Sequence, residues 1–574
     1  MIYNKDTFLN YIENSSVLTF VKDLRATKDD KSKSSPFLFE CDLLFAGDKI
    51  PVRIFIPRKF PLALPKVILP TFDHLGFIPH IEPNGSVCFL EQESVYINID
   101  EPETVFHASI ELVIQTLTDG TTGTNRIDFR EEFNAFWERN DFKSSLSLIS
   151  FIEIAEEPKV IKVLRNNKTT IIYDENWNTE RVKKVLFNGR SAHEKSGLFI
   201  PLELSDKIIP PNYNQKWTSA EFSNWLQPLI SEDNWNFVME NILNKRPNRF
   251  EYVILGIPRS TGPTLLIGVH LKPKGNQLHP LLNEDSDWNL SYLNIHRLEA
   301  NASMPRGGAN LNLRNKKILI VGCGSVGSHL VDMLVKLGVG SLKLIDPDIL
   351  KMDNVQRFTV GHEYVGKRKV DALKTFYEKN YLNCKIEVVK NSIEDLILSS
   401  EFDSDEYDLI ISTTGDPTIN LYLNQYISLL TKSKPFVVGW NEPLGIGGHA
   451  IISVPGQTGC YRCLFREQHN ISSFAAKNQP KPFHVKHLGC GEVYTPYAAI
   501  DSIRTAEMIA RAVNHYFNDS SMQSQLISWK GDSKEFIDAG FIVSDRYKNQ
   551  TTEEMHDLRF DFVNKDCEIC KNNE

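Results

Sequence analysis

The sequence predicts an α/β multidomain chain. Its C-terminal half should be a doubly wound, mainly parallel sheet, its N-terminal region an antiparallel α+β fold, and the stretch between them a mixed α/β domain. Three observations predict this. Short apolar runs alternate with helical patterns from residue 318 onward. Period-two runs joined by short turns occupy residues 37–69. The 574 residues, at about 150 per domain, make room for three or four domains.

The first region is placed at 1–145. Phe8, Leu9 and Ile12 recur at helical spacing ahead of the charged loop KDDKSKSS. Strand patterns follow at 37–45, at Ile50, Val52, Ile54 and Ile56, and at 67–69, with turns such as AGDK predicting an antiparallel meander. The prolines of FPLALPKV, residues 60–67, exclude regular structure there. Helical patterns are expected around 104–118 and 130–139. The second region, 146–295, has strand-like runs at 160–164, 252–257 and 265–271, a helical pattern over 219–243 interrupted near Pro228, and an exposed connection at NEDSDWN. It carries no chemical constellation. The third region, 296–574, has strand runs at 318–321, 342–345, 386–389, 409–411 and 436–438, with Leu330, Leu334 and Leu337 at helical spacing after the first.

Composition excludes several classes. Hydrophobic residues make up 41% of the chain, enough for several cores, so it is not a disordered chain. Lys+Arg number 64 against 73 Asp+Glu, a net charge of −9, which argues against a nucleic-acid partner. The N-terminal MIYNKDTFLNYIENSS lacks a signal-peptide pattern, and the uncharged stretch 443–461 is too rich in Gly and Pro to span a bilayer. A cytoplasmic protein is expected. Nine cysteines in this length are no disulfide scaffold; in a reducing compartment they are ligands or nucleophiles.

GCGSVG, residues 322–327, follows a strand pattern and opens a helix pattern. Gly322, Gly324 and Gly327 would let the backbone approach phosphate at a helix N-terminus. Asp346 ends the next strand, where a carboxylate takes ribose hydroxyls. A dinucleotide would fit those residues equally well. Asn354, Arg357 and Lys369 lie just beyond and favour a triphosphate, since cations neutralise departing pyrophosphate. Asp416, after the strand DLIIST, stands where a carboxylate can hold Mg²⁺. Together these motifs resemble the adenylating domain of the ThiF/MoeB and ubiquitin-activating enzymes. Phe358 stands where that family has a glutamine. The resemblance implies ATP as substrate, activation of a C-terminal carboxylate as an acyl-adenylate, a homodimer, and an arginine lent to the triphosphate, for which Arg297 and Arg306 are candidates.

Cys460-Tyr-Arg-Cys463 and Cys567-Glu-Ile-Cys570 are paired thiols, and four thiolates close a tetrahedral Zn²⁺ site of structural type. The adenylating family carries two such pairs in the same order. Between them, Cys490 lies in LGCGEVYTPY, flanked by glycines and followed by a helix with Ile500, Ile503, Ala506, Ala510, Val513 and Phe517 expected on one face. It resembles the catalytic cysteine loop of prokaryotic activating enzymes, which carries a thioester. Cys88, in PHIEPNGSVCFL after the meander, resembles the catalytic cysteine of the ubiquitin-conjugating fold. The family's His-Pro-Asn is replaced here by Ile78-Pro79-His80, so His80 or Asn84 is left to supply an oxyanion donor.

The order of the parts is similar to the conjugating–activating fusion proteins of bacterial CBASS anti-phage operons. That resemblance implies adenylation, thioester formation on Cys490, transfer to Cys88 and conjugation to a target lysine. It also implies a cGAS/DncV-like nucleotidyltransferase as donor. Two alternatives stand beside it: a sulfur-carrier activating enzyme of the ThiF/MoeB type, and a nucleotide-binding scaffold without conjugation. An NAD oxidoreductase has no use for Arg357, Lys369 and the paired thiols.

Overall fold

The computed structural model describes residues 4–24, 37–90, 95–131, 133, 137, 146–167, 169–175, 177, 183, 186–187, 191–211, 215–244, 249–260, 262–382, 384–466, 469–483, 485–486, 493–494, 496–556 and 562–570. The chain divides into two compact units, Met1–Glu299 and Ala300–Glu574.

In the first unit, helix α1 (Lys5–Glu13) starts where the Asn4 side chain accepts the Thr7 N–H at 2.9 Å. Strands β1 (Leu18–Leu24), β2 (Phe37–Phe45), β3 (Asp48–Ile56) and β4 (Lys66–Ile68) form the antiparallel meander. Strand β1 lies in a stretch for which the sequence reading named no element. Alternation puts Phe39, Cys41 and Leu43 of β2 and Val52, Ile54 and Ile56 of β3 on the buried face. Phe45 pairs with Asp48, so Ala46 and Gly47 alone make the turn, both at positive φ. That is the primed turn whose twist suits a hairpin. Helix α2 (Pro102–Thr122) opens on a proline at its first turn and closes on Gly123 in the left-handed region. Phe106, Ile110, Val113 and Leu117 form its buried stripe. At Gly120 a Cβ would come within 2.2 Å of the Ile78 side chain, so α2 packs directly on the segment leading to Cys88. Helix α3 (Arg126–Glu131) follows.

Strands β5 (Leu146–Ser150), β6 (Lys159–Arg165), β7 (Thr170–Tyr173), β8 (His193–Pro201), β9 (Phe250–Ile257), β10 (Leu265–Lys272) and β11 (Asn289–Arg297) close into a barrel in the order β10-β11-β5-β7-β6-β8-β9. Ile161, Phe199, Ile254 and Leu293 pack in one of its clusters. The helical pattern over 219–243 is broken as expected: a 3-10 turn at Gln227–Leu229 contains Pro228. NEDSDWN is largely the exposed connection expected, with Asn283, Glu284, Asp285, Asp287 and Asn289 exposed. Ser286 and Trp288 are buried, because the Ser219 hydroxyl donates to the Ser286 carbonyl and accepts the Trp288 N–H. One apolar core runs from the meander through Phe133 and Trp137 to the barrel residues Val253 and Tyr292. Trp137 stacks edge-on against Tyr292 and donates its indole N–H to the Gly268 carbonyl at 3.1 Å. The barrel is therefore continuous with the meander. The expected boundary at 145/146 falls at the edge of the described residues.

In the second unit, strands β12 (Lys317–Val321), β13 (Ser341–Ile345), β14 (Lys385–Val389), β15 (Leu409–Ser412), β16 (Phe436–Asn441) and β17 (Gly447–Ser453), with the strand Gln525–Lys530, form one sheet. Its order is β14-β13-β12-β15-β16-β17, then Gln525–Lys530. The pairs from β14 to β16 are parallel and the last two antiparallel. The order reverses between β12 and β15, and their carboxyl ends form the crevice where a doubly wound sheet binds ligands. Among the described residues, no helix is long and apolar enough to cross a membrane.

Candidate active sites

The glycine turn at the end of β12 is built by close approach. Gly322 has φ 84°, and a Cβ there would meet the Thr414 backbone at 2.8 Å. At Gly327 a Cβ would lie 2.1 Å from the Gly322 carbonyl oxygen. Gly324 precedes the helix Ser325–Leu337 without a side-chain cap, which leaves its first N–H groups facing the crevice mouth. Asp346 is buried; its two carboxylate oxygens accept the Cys323 N–H at 2.7 Å and the Asp348 N–H at 2.8 Å. Burial raises its pKa, opposed by the Lys369 charge and those two hydrogen bonds. A cavity of about 240 Å³ is lined by Gly322, Gly324, Asp346, Lys369, Thr413 and Thr414, among others. Of these, the two threonines were not singled out from sequence. Burial pushes the Cys323 thiol well up, so it is no nucleophile despite its place in the turn.

Asp348 and Lys369 also line a second, larger cleft of about 1570 Å³. Lys369 Nζ lies 2.7 Å from Asp348 Oδ2. Asn354 and Arg357 stand in the cleft wall with Tyr497 and Arg504. The Arg357 guanidinium sits 4.9 Å from the Tyr497 ring centre, and the Arg504 guanidinium 4.6 Å from that of Trp529. The cavity at the glycine turn thus adjoins a mixed-charge cleft, with Asp348 and Lys369 in the walls of both. Arg504 was missed in the sequence because a helical arginine looks like any solvated one. Ile500 and Ile503, expected on the buried face of the helix Ala499–Asn518, are exposed, and Ile500 lines the cleft. Ser502, Thr505 and Ile509 are buried instead. Trp529 Nε1 donates to Thr505 Oγ1 at 2.8 Å, and Ala506, Ala510 and Val513 are buried as expected.

Asp416 caps the helix Pro417–Ser428: its Oδ1 accepts the N–H groups of Thr418 at 2.7 Å and Ile419 at 3.2 Å. It is exposed and does not line the cavity, although its neighbours Thr414 and Ile419 do. Arg297 is committed within the first unit, to the Glu299 carboxylate at 2.6 Å and to the Thr264 carbonyl. The candidate arginine assignment therefore loses support at Arg297. Arg306 is exposed at the end of the helix Ala300–Arg306.

Cys460, Cys463, Cys567 and Cys570 are all buried, with their sulfurs within 4.8 Å of one another. Three of the sulfur–sulfur distances are 3.5, 3.8 and 4.0 Å. A tetrahedral ion with bonds of about 2.3 Å sets its sulfurs about 3.8 Å apart, so the four thiols fit one thiophilic divalent ion. Asn424 Nδ2 donates toward Cys460 Sγ at 3.5 Å, the kind of outer hydrogen bond that orients a ligand. Hydrogen bonding to Cys460 holds the Cys463 thiol low, and the same contact pushes Cys460 up. Cys490 lies outside the described residues; the chain leaving its loop is anchored where the Leu444 N–H donates to the Pro496 carbonyl at 2.7 Å.

Cys88 is exposed at the end of a short turn. Ile81 bridges Val87, and the Cys88 N–H donates to the His80 carbonyl at 2.7 Å. Gly85 has φ 81°, and a Cβ there would lie 2.1 Å from the Leu69 carbonyl oxygen. Asn84 Oδ1 accepts the Ser86 N–H at 2.9 Å, so this side chain holds the turn. His80 Nε2 lies 3.3 Å from Asp128 Oδ2 of α3, a partner the sequence did not reveal. By contrast, burial pushes the Cys41 thiol up to about 12.

Residues 300–536 match the ThiF family, and residues 21–144 match the Prokaryotic E2 family B. The ATP-dependent ubiquitin transferase-like protein Cap2 of Pseudomonas aeruginosa is 23% identical, over 77% of this chain and 80% of that protein. Its namesake from Escherichia coli is 22% identical, over 80% of this chain and 83% of that protein. An adenylyltransferase and sulfurtransferase of Candida albicans, UBA4, is 23% identical over 44% of this chain and 54% of its own length.

Proposed function

We propose that this chain, an activating and conjugating enzyme of bacterial type built from an E2-like domain and a ThiF domain, joins a protein C-terminus to a lysine by an adenylate and two thioesters. The observation that carries the proposal is the pairing, on one chain, of the capless glycine turn beside Asp346 and Lys369 with an exposed Cys88. ATP binds at the crevice of the ThiF sheet, with Gly322, Gly324 and Gly327 against its phosphates, Asp346 on the ribose, and Asn354, Arg357 and Lys369 toward the triphosphate. A carboxylate oxygen of the donor attacks the α-phosphorus, the Pα–O bond to pyrophosphate breaks, and the cations stabilise the leaving charge. Asp416 has one carboxylate oxygen available to a Mg²⁺ ion, which when bound would supply further charge neutralisation. Cys490 then displaces AMP, and Cys88 takes the acyl group by thioester exchange. With both cysteines on one chain, that exchange is intramolecular, at an effective concentration on the order of millimolar where the linker permits. The four thiolates hold Zn²⁺ as a closed structural site that ties residues 562–570 to the sheet.

The donor is a cGAS/DncV-like nucleotidyltransferase, the acceptor a lysine of a cytoplasmic target, and the enzyme a homodimer through its ThiF domain. The likeness to the Cap2 proteins, ubiquitin transferase-like by name, over most of both chains supports conjugation over sulfur-carrier activation, which needs no Cys88. Intact mass of Cys88→Ser, expressed in its native cell with neighbouring genes, tests it. A protein-sized adduct that hydroxylamine removes and that depends on Cys490 is expected, because the serine ester turns over slowly. No adduct, with adenylation active and the donor present, would leave carrier activation as the function.

A further inference from the structure

We infer that Tyr497 is a positioning residue for adenylation: its ring holds the Arg357 guanidinium ready for the triphosphate. This rests on the reading that ATP binds at the glycine turn with Arg357 toward its phosphates, and it adds what orients that arginine.

An arginine that meets pyrophosphate answers to two demands. Its long side chain must be held in place before the ligand arrives, and its charge and N–H edge must stay available. A carboxylate partner meets the first demand but offsets part of the charge. Lys369 is in that position, with its Nζ 2.7 Å from Asp348 Oδ2. An aromatic face meets both demands. It attracts a cation lying within about 6 Å of the ring centre and adds no net negative charge, while the guanidinium edge keeps its donors for phosphate oxygens.

Arg357 is held at both ends. Its backbone carbonyl accepts the hydroxyl of Ser325, the first residue of the helix that leaves the glycine turn, at 3.1 Å. Its guanidinium lies 4.9 Å from the Tyr497 ring centre, and both residues line the large cleft with Asn354 and Lys369. Tyr497 is itself fixed on either side along the chain. The Leu444 N–H donates to the Pro496 carbonyl at 2.7 Å, and the Ala498 N–H donates to Asp501 Oδ2, also at 2.7 Å. Burial pushes the Tyr497 phenol up in pKa. The Arg357 charge opposes that rise most, ahead of the Ser325 hydroxyl and the Lys369 charge, so the phenol stands among the groups assigned to the phosphates.

Calorimetry on the full-length chain tests this with ATP and AMP as the two probes, in Mg²⁺ buffer without a donor. AMP shares the adenosine and the α-phosphate but lacks the part that Arg357 meets. Arg357→Ala and Tyr497→Leu should each weaken ATP binding about tenfold and AMP binding less than about twofold. Tyr497→Met, which fills more of the space without an aromatic face, should match Tyr497→Leu and guards against a loss of fold. The double variant Arg357→Ala with Tyr497→Leu should bind ATP no more weakly than Arg357→Ala, because removing the support of an absent group has no further effect. Tyr497→Phe keeps the ring and should recover most of the lost affinity. Equal weakening of ATP and AMP by Tyr497→Leu and Tyr497→Met would make Tyr497 a structural residue of the cleft wall and overturn the inference. So would losses that add in the double variant, or full ATP affinity without the ring. Absence of ATP binding by the parent chain, or full ATP affinity in Arg357→Ala, would overturn the reading of the site instead, and this inference with it.

Discussion

Single atoms decide much of both sites. A methyl group at Gly327 would lie 2.1 Å from the Gly322 carbonyl oxygen, with no flexible side chain to yield. Gly327→Ala should therefore weaken ATP binding at least tenfold by calorimetry, while unfolding of the first unit stays unchanged. Gly85→Ala meets the Leu69 carbonyl at the same distance and adds a positive φ of 81°. It should destabilise the E2-like domain by about 1–3 kcal/mol in urea and slow charging of Cys88. Both glycines stand in readable motifs, yet the atoms they must avoid come from segments distant in sequence or across the turn.

Elements add constraints that a residue list lacks. Asp416 opens the helix Pro417–Ser428 by accepting two backbone N–H groups, so a loss of function in Asp416→Ala has two causes. Asp416→Asn separates them. The amide keeps a capping oxygen, worth about 1 kcal/mol, but loses the charge a cation needs. Normal thermal stability with pyrophosphate exchange lost would assign the metal role; normal exchange would remove it. The loop between β10 and β11 carries a comparable device. His279 is buried, its Nε2 3.0 Å from the Phe250 carbonyl and its Nδ1 accepting the Leu281 N–H at 3.2 Å. Burial therefore depresses its pKa to about 4. The unfolded chain binds this proton below about pH 6.5 and the folded one resists it. Stability from His279 is thus complete above about pH 6.5 and lost as pH falls toward 4, up to about 3 kcal/mol. Urea unfolding of the first unit should fall across that window, and His279→Gln should flatten the slope.

For the molecule as a whole, the two units rest on different supports. The first is held by one apolar core that runs from meander to barrel. The second closes its C-terminal segment onto the sheet through the four buried thiols, where Cys567 and Cys570 meet Cys460 and Cys463 across more than a hundred residues of chain. A strong chelator should release one metal ion per chain and lower the melting temperature of the second unit alone. Cys460→Ala should do the same, and a full metal content in that variant would exclude the structural assignment.

The sequence by itself determined many of the elements and the chemistry of the motifs. Five strand runs of the ThiF sheet, the meander, the glycine turn with Asp346, the two thiol pairs and the cysteine at 88 were legible because each depends on local periodicity or short spacing. The partners brought in from afar were decided only by tertiary structure. Asp128 reaches His80 from α3, Thr413 and Thr414 wall the glycine-turn cavity from just beyond β15, and Arg504 and Ile500 turn toward the cleft. The barrel closed through pairings such as β11 with β5, which join residues more than a hundred positions apart. Such contacts form because buried faces must find complementary surfaces and buried polar groups must find partners, and a one-dimensional pattern states the demand without naming what meets it.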